Sequence, residues 1–193
     1  MTKFRILFIR VSITLKFLYY FYMGKIRGIS FIIGYLRNPD HRISARLLRA
    51  YGATIGEKTT IKRSIFLDNV YRDQNSSGDF SHLVIGDNCY IGDCVYFDLA
   101  NKVVIGNNVV VSGKVSFVTH ADCNRSPRLR ELFPRTCEQI VVEDGVWIGF
   151  GATILNGVRI GENAVVAASA LVRLNVEAHT MYGGVPALKI KSL

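Results

Sequence analysis

The stretch from Val142 to Val172 reads VEDGVWIGFGATILNGVRIGENAVVAASALV, and its period is six. Aliphatic residues fall at Val142, Ile148, Ile154, Ile160, Val166 and Val172. Four positions after each of the first five stands another small or β-branched residue: Val146, Ala152, Val158, Ala164, Ala170. A helix repeats about every 3.6 residues and a strand every 2, so neither produces a period of six. Short strands joined by tight corners do produce it when they wind into a three-sided prism with three hexapeptides per coil. One aliphatic per face then points inward, and the corners take residues that are small or tolerate positive φ, namely Gly, Asn and Asp. Each coil buries its flat faces only on its neighbours, so several coils are needed and the ends need caps.

The same register extends toward the N-terminus. Ile55 and Ile61 pair with Thr59 and Ile65, Ile85 and Ile91 with Cys89 and Val95, and Ile105 and Val111 with Val109 and Val115. Phe97 and Phe117 each add one more step, and Gly follows the first aliphatic at positions 56, 86, 92, 106, 149 and 161. Three interruptions break the period. Residues 66–83 contain the polar stretch Asp68 to Ser81, expected as an irregular coil or loop. The step from Phe97 to Ile105 is two residues too long, which implies a bulge at a corner. The step from Phe117 to Val142 is far too long for a corner and predicts a loop, 119–139, pushed out from the prism. Long loops on rigid scaffolds are where sites tend to sit.

The first 50 residues are of another kind. They carry ten Lys and Arg against one acid, Asp40, so the net charge of +9 belongs to them and residues 51–193 balance at fourteen of each sign. Phe17 to Met23 and Ile29 to Leu36 make this segment apolar and aromatic as well. A bilayer-spanning helix needs about 20 apolar residues without charges, and Arg5, Arg10, Lys16, Lys25 and Arg27 interrupt every such window. No small-residue cleavage site marks a signal peptide. Two readings of this helical extension stay open: a membrane-surface contact through residues 1–36, with cations toward anionic head groups, or a cap or subunit contact on the prism. The alternation of Val11, Ile13, Leu15 and Phe17 with Ser12, Thr14 and Lys16 is a strand period inside that helix. Nucleic acid would suit the charge but not the aromatic density, and no recognition motif is present.

The four cysteines (Cys89, Cys94, Cys123, Cys137) form no CxxC pair, so neither a zinc cage nor a redox motif is indicated. Cys89 occupies an inward repeat position, where a thiol packs as a small hydrophobe. Free thiols fit a reducing cytosol, and the expected location is cytoplasmic, at the inner face of the membrane under the first reading of the extension.

The nonapeptide Val146-Trp147-Ile148-Gly149-Phe150-Gly151-Ala152-Thr153-Ile154, then Gly157-Val158-Arg159-Ile160-Gly161 and the closing Gly183-Gly184-Val185-Pro186-Ala187, resemble the hexapeptide-repeat acyltransferases, in their maltose/galactoside acetyltransferase-like branch. Enzymes that O-acetylate bacterial surface polysaccharides look alike in this way. The resemblance covers about residues 50–193 and implies an all-β, left-handed parallel β-helix with a C-terminal tail over 174–193. It also implies homotrimers, with acetyl-CoA as co-substrate and no metal. The family's single loop histidine, a general base that helps a hydroxyl attack the thioester directly, matches His120 in Val118-Thr119-His120-Ala121-Asp122. Histidine is the side chain that titrates near neutrality, and general-base help contributes roughly 10²–10⁴-fold.

The same resemblance places the coenzyme along Trp147, Gly149, Phe150 and Gly151, at Ala167 and Ala168, and at Arg173, Pro186, Leu188, Lys189 and Lys191. Two departures stand out. Ala167-Ala168-Ser169-Ala170 replaces the usual Gly-Ala-Gly-Ser, and Leu188 replaces a common cation, leaving phosphate contacts to Lys189, Lys191 or Arg173. On the acceptor side no counterpart of the family's Asn stands in residues 90–98. Asp98 is the substitute expected to touch the acceptor, with Asp122 and Asn124 beside it, and two roles stay open for Asp122: orienting His120 or capping the turn.

Other readings compete. The γ-type carbonic anhydrases share the prism but bind zinc through histidines five residues apart, and positions 115 and 125 here are Val and Arg. Cys123 near His120 is formally a nucleophile–base pair. N-acylation of an amino-sugar nucleotide and a non-catalytic scaffold remain the alternatives to O-acetylation.

Overall fold

The computed structural model describes residues 3–193, with side chains from residue 8 onward. The periodic segment forms three parallel sheets, each collecting one strand per coil. The first face stacks Thr54–Ile55, Leu83–Ile85, Val103–Ile105, Ile140–Val142 and Arg159–Ile160. The second runs from Thr60–Ile61 through Tyr90–Ile91, Val110–Val111 and Trp147–Ile148 to Val165–Val166 and Thr180–Gly183. Its edge is Leu188–Ser192, antiparallel to Thr180–Gly183. The third stacks Phe66–Asp68, Tyr96–Asp98, Ser116–Val118, Thr153–Leu155 and Leu171–Val172. The result is the three-sided prism that the period implies, wound as the left-handed parallel β-helix that the resemblance implies. The aliphatics at the six-residue positions and their companions are buried, Thr59 being the half-exposed exception. Phe97 and Phe117 stack at 5.2 Å on the inside of the third face.

The corners assign glycine a different task from the one expected. Positive φ falls at the corner residues Lys58, Ser64, Asn88, Cys94, Asn108, Lys114, Asn163 and Ser169, and at Gly145, Gly151 and Gly157. The glycines that follow the aliphatics have ordinary φ. They are small because successive coils touch there: a Cβ on Gly149 would lie 2.5 Å from the Ala168 nitrogen, and one on Gly92 equally close to the Gly113 nitrogen. Backbone approach selects those glycines.

The residue register locates the interruptions. On every face the first coil pairs 30 residues on, as Thr54 with Val84, Thr60 with Tyr90 and Phe66 with Tyr96. The second pairs 20 on and the third 37 on, whereas the fourth pairs 18 on, as Val141 with Arg159 and Thr153 with Leu171. Three coils therefore carry extra residues, and all of them lie between the third face and the first, at 69–82, 99–102 and 119–139. The first insertion is shorter than expected, because Phe66–Asp68 is a regular strand; Val70 and Phe80 anchor the rest in the core.

Residues 3–50 form three helices: α1 (Lys3–Arg27), α2 (Ile29–Leu36) and α3 (His41–Ala50). The strand-like alternation within α1 gives way to helix, because a helical α1 can lay Tyr20 and Phe21 on the elements beneath it. Gly28, at φ 85, turns the chain between α1 and α2. Asp40 caps α3 by accepting from the Arg42 amide. Ile32, Leu36 and Leu48 join the core of the prism, so α2 and α3 close its N-terminal end.

Candidate active site

Because the three insertions leave the same corner in successive coils, they stack on one another, and His120 sits among them. It opens a two-stranded antiparallel base, His120–Ala121 with Thr136–Cys137, from which the loop projects and carries helix α4 (Pro127–Leu132). The imidazole Nδ1 lies 2.6 Å from Asp98 Oδ2, with the carboxylate only 1% exposed and the imidazole 23%. Asp98 ends its strand directly above Asp68, at the mouth of the second insertion.

The Asp98 carboxylate is saturated. Oδ2 also accepts from the Thr119 and His120 amides at 2.8 and 3.1 Å, and Oδ1 accepts from Asn69 Nδ2 at 2.8 Å and the Ala100 amide at 3.2 Å. Burial alone would raise its pKa, but the hydrogen bonds from Asn69, His120 and Ala100 outweigh that and hold it below the usual carboxylate range. Asp98 is therefore ionised near neutrality and can only accept. Nδ1 of His120 must then carry a proton, and in the neutral imidazole that leaves Nε2 with its lone pair. Each insertion supplies a part: Asn69 from the first, Ala100 from the second, Thr119 and His120 from the third. Thr119 Oγ1 donates to the Asp98 carbonyl at 3.0 Å and accepts from the Asn101 amide at 3.1 Å, which ties the second and third insertions together.

Two expectations change. Asp98 is buried beneath His120 and orients it, so its carboxylate is not an acceptor contact. Asp122 does not orient His120; its Oδ2 accepts from Arg135 Nη1 at 2.6 Å. Arg135 also reaches Asp73 at 2.8 Å and Asn75 at 3.3 Å, clamping the loop to the first insertion. Asn124 is exposed, with its amide toward Asp122 at 3.4 Å. A hollow of about 450 Å³ in the projecting loop is lined by Ala121, Asp122, Cys123, Leu129, Leu132 and Phe133. Asn69, Thr119 and Arg135 escaped the sequence reading. The signal for Asn69 was its place at the mouth of an insertion, one residue after an aspartate in register with Asp98.

The candidate coenzyme residues gather at another corner, between the second and third faces. Trp147 and Phe150 are half exposed there. Gly149 approaches Ala168, the Phe150 carbonyl accepts from the Ser169 amide at 2.8 Å, and Lys114 Nζ lies 5.4 Å from the Phe150 ring. Gly151 continues that corner at φ 71, and Ala167 lies beneath Gly183. Arg173, Pro186, Leu188 and Lys191 are exposed toward the C-terminal end, and Lys189 pairs with Glu177 at 2.6 Å on the surface. Within one chain the third face, with Tyr96, Ser116, Thr153 and Leu171 outward, separates this corner from His120. Among the described residues no cluster of His, Cys, Asp or Glu could hold a metal.

Residues 139–173 match the family described as bacterial transferase hexapeptide (six repeats). A protein of Escherichia coli (strain K12), WbbJ, named for O-acetyl transfer in lipopolysaccharide biosynthesis, is 33% identical over 119 residues, 56% of this chain and 60% of the relative. Galactoside O-acetyltransferase of Lactococcus lactis is 28% identical over 125 residues, 54% of this chain and 60% of that protein. The chain thus spans about three-fifths of the length of these curated relatives. Among solved structures, the hexapeptide-repeat acetyltransferase VCA0836 of Vibrio cholerae, complexed with acetyl coenzyme A, superposes with a TM-score of 0.68 at 28% identity over 82% of this chain and 80% of its own.

Proposed function

We propose that this chain, a member of the hexapeptide-repeat family, transfers an acetyl group from acetyl-CoA to a sugar hydroxyl in the assembly of a surface polysaccharide. The observation that carries the reading is the hydrogen bond from His120 Nδ1 to a buried, saturated Asp98, which leaves Nε2 of the neutral ring as a base at the mouth of a projecting loop. His120 Nε2 takes the proton of the acceptor hydroxyl as that oxygen bonds to the thioester carbonyl carbon. The carbon–sulfur bond breaks as the tetrahedral adduct collapses, and His120 returns the proton to the departing sulfur. Asp98 fixes the tautomer and steadies the imidazolium between those two steps.

The two corners support a site shared between copies. His120 and the Trp147–Phe150 corner lie on opposite edges of the third face, so a groove between two prisms would join one copy's base to another copy's coenzyme wall. That arrangement fits a homotrimer. The polysaccharide acceptor rests on the E. coli relative's name and on the helical extension. N-acylation of an amino sugar uses the same base and is separated by the acceptor alone.

The test follows release of the CoA thiol with oligosaccharide and amino-sugar acceptors, for the native protein and for His120→Ala, beside calorimetric titration with acetyl-CoA. The expected loss in kcat for His120→Ala is about 10²–10⁴-fold, with acetyl-CoA affinity unchanged. Full turnover by the variant would remove His120 from the chemistry. A folded native protein that does not bind acetyl-CoA would leave the scaffold reading.

A further inference from the structure

Helix α1 is used on one side only. Its inner face packs on the rest of the protein: Tyr20 stacks on Tyr35 at 3.6 Å, Tyr51 Oη donates to the Phe21 carbonyl at 2.6 Å, and Gly24 is small because the Ile32 side chain and Tyr51 fill the space beside it. Among the described residues nothing covers the opposite face. Phe8, Val11, Leu15, Leu18, Tyr19, Tyr22 and Ile26 are exposed there, from 38% at Leu18 to 78% at Ile26. Their spacing of three and four residues puts all seven in one sector about 100° wide, and between residues 8 and 27 every residue in that sector is apolar. At 1.5 Å per residue the stripe is about 27 Å long. Exposed Arg10, Lys16, Lys25 and Arg27 lie outside its two edges; Lys16 also reaches Asp40 at 3.2 Å and Lys25 stands 5.1 Å over the Tyr51 ring, and no acidic residue precedes Asp40.

We propose that this stripe seats the protein on an anionic lipid bilayer, with α1 lying in the plane of the interface. The chemistry of both partners agrees with this. The apolar sector enters the acyl boundary, the tyrosines sit at head-group depth, and the flanking cations meet lipid phosphates. Among the described residues no helix is long and apolar enough to cross a membrane, so α1 lies on the surface. A second copy fits less well. Stripe against stripe would bring the same cations together, and seven side chains fall short of the roughly 20–30 residues a side in a standard interface. The proposal stands whether or not the protein transfers acetyl groups.

The full-length protein is floated with vesicles of phosphatidylcholine containing phosphatidylglycerol, and with phosphatidylcholine alone, at low and high salt. The expected result is binding to the anionic vesicles that weakens with salt. Leu15→Asp with Tyr22→Asp should lower partitioning by about tenfold or more, and Arg10→Gln by about fivefold at low salt. Because Leu15, Tyr22 and Arg10 are exposed, circular dichroism should be unchanged in all variants. Folded native protein that stays off anionic vesicles at low salt overturns the proposal, as does a double aspartate variant that binds like the native protein. If that variant instead shows a smaller mass by light scattering, with no vesicle binding in either form, the stripe is a contact between copies.

Discussion

Coils four and five and the corner beneath His120 are built from one chain by opposite rules. From Ile140 to Val172 the register is 18 residues on all faces, and every inward position is apolar and buried. No buried charge occurs there. At the other corner the period is broken in three consecutive coils, and an ionised carboxylate is buried with five donors around it. A strictly periodic prism has no room for such a group, since each residue of a hexapeptide is assigned to core, corner or outer face. The interruptions supply backbone amides that no ladder uses. Chemistry is possible on this fold where the repeat fails, and the repeat holds those failures in line.

The largest effect to test that contrast lies in the regular region. Ile154 is fully buried between Phe117 and Val172, so Ile154→Ala should cost about 2–5 kcal/mol of stability in denaturant unfolding. Its kcat, corrected for the folded fraction, should not change. A large kcat loss would mean that the regular coils shape the site more than the corner does.

Asp98→Asn attacks the other region. The amide keeps the volume but loses the charge that fixes the tautomer of His120, so kcat should fall about 10²-fold while KM for acetyl-CoA holds. Stability should diverge with pH in a defined direction. The folded Asp98 carboxyl lies below its ordinary value, so its stabilisation is full above the ordinary aspartate range of about pH 4 and is lost as pH falls through the folded value. The native protein should therefore exceed Asp98→Asn in stability at neutral pH, and the gap should narrow in acid. A gap that stays constant down to acid pH would show that Asp98 does not carry this charge.

A smaller effect is expected at Arg135, which joins two insertions through Asp73 and Asp122. Arg135→Gln should lower kcat/KM for the acceptor about tenfold by loosening the loop, with a stability loss of about 1–3 kcal/mol, because the side chain is only 10% exposed and its carboxylate partners lose their cation. Faster tryptic cutting at Arg125, Arg128 or Arg130 would report the loosening. Unchanged kinetics with faster cutting would separate the loop from acceptor binding.

How much of this was legible follows from the same contrast. The prism could be read because its signal repeats, so each hexapeptide reports on the others. His120 could be read from a motif and from its place at the root of a long interruption. The partner of His120 could not, because Asp98 and Asp122 are both carboxylates near it in the fold or the chain, and only the stacking of insertions decides between them. Asp98 is 22 residues away and one coil below; Asp122 is close in sequence and faces the other way. Asn69 and Arg135 were hidden for the same reason, since their partners lie 29 and 62 residues distant with no period linking them.

The corners offer the smallest test. In coil four the positive-φ positions are Gly145, Gly151 and Gly157, whereas the first coil places Lys58 and Ser64 there, at φ 55 and 59. A left-handed conformation costs a residue with a Cβ roughly 1–2 kcal/mol, and Gly escapes that cost while losing more entropy on folding. Lys58 is exposed, with no ion pair or side-chain hydrogen bond among the described residues, so nothing opposes the relief of strain. Lys58→Gly should stabilise the protein by about 0.5–1 kcal/mol, read as a rise in the denaturation midpoint with an unchanged slope. Kinetics at the distant His120 corner should not respond. If stability falls instead, the lysine has a contact at that corner that outweighs the backbone, and coil one is not a strained copy of coil four.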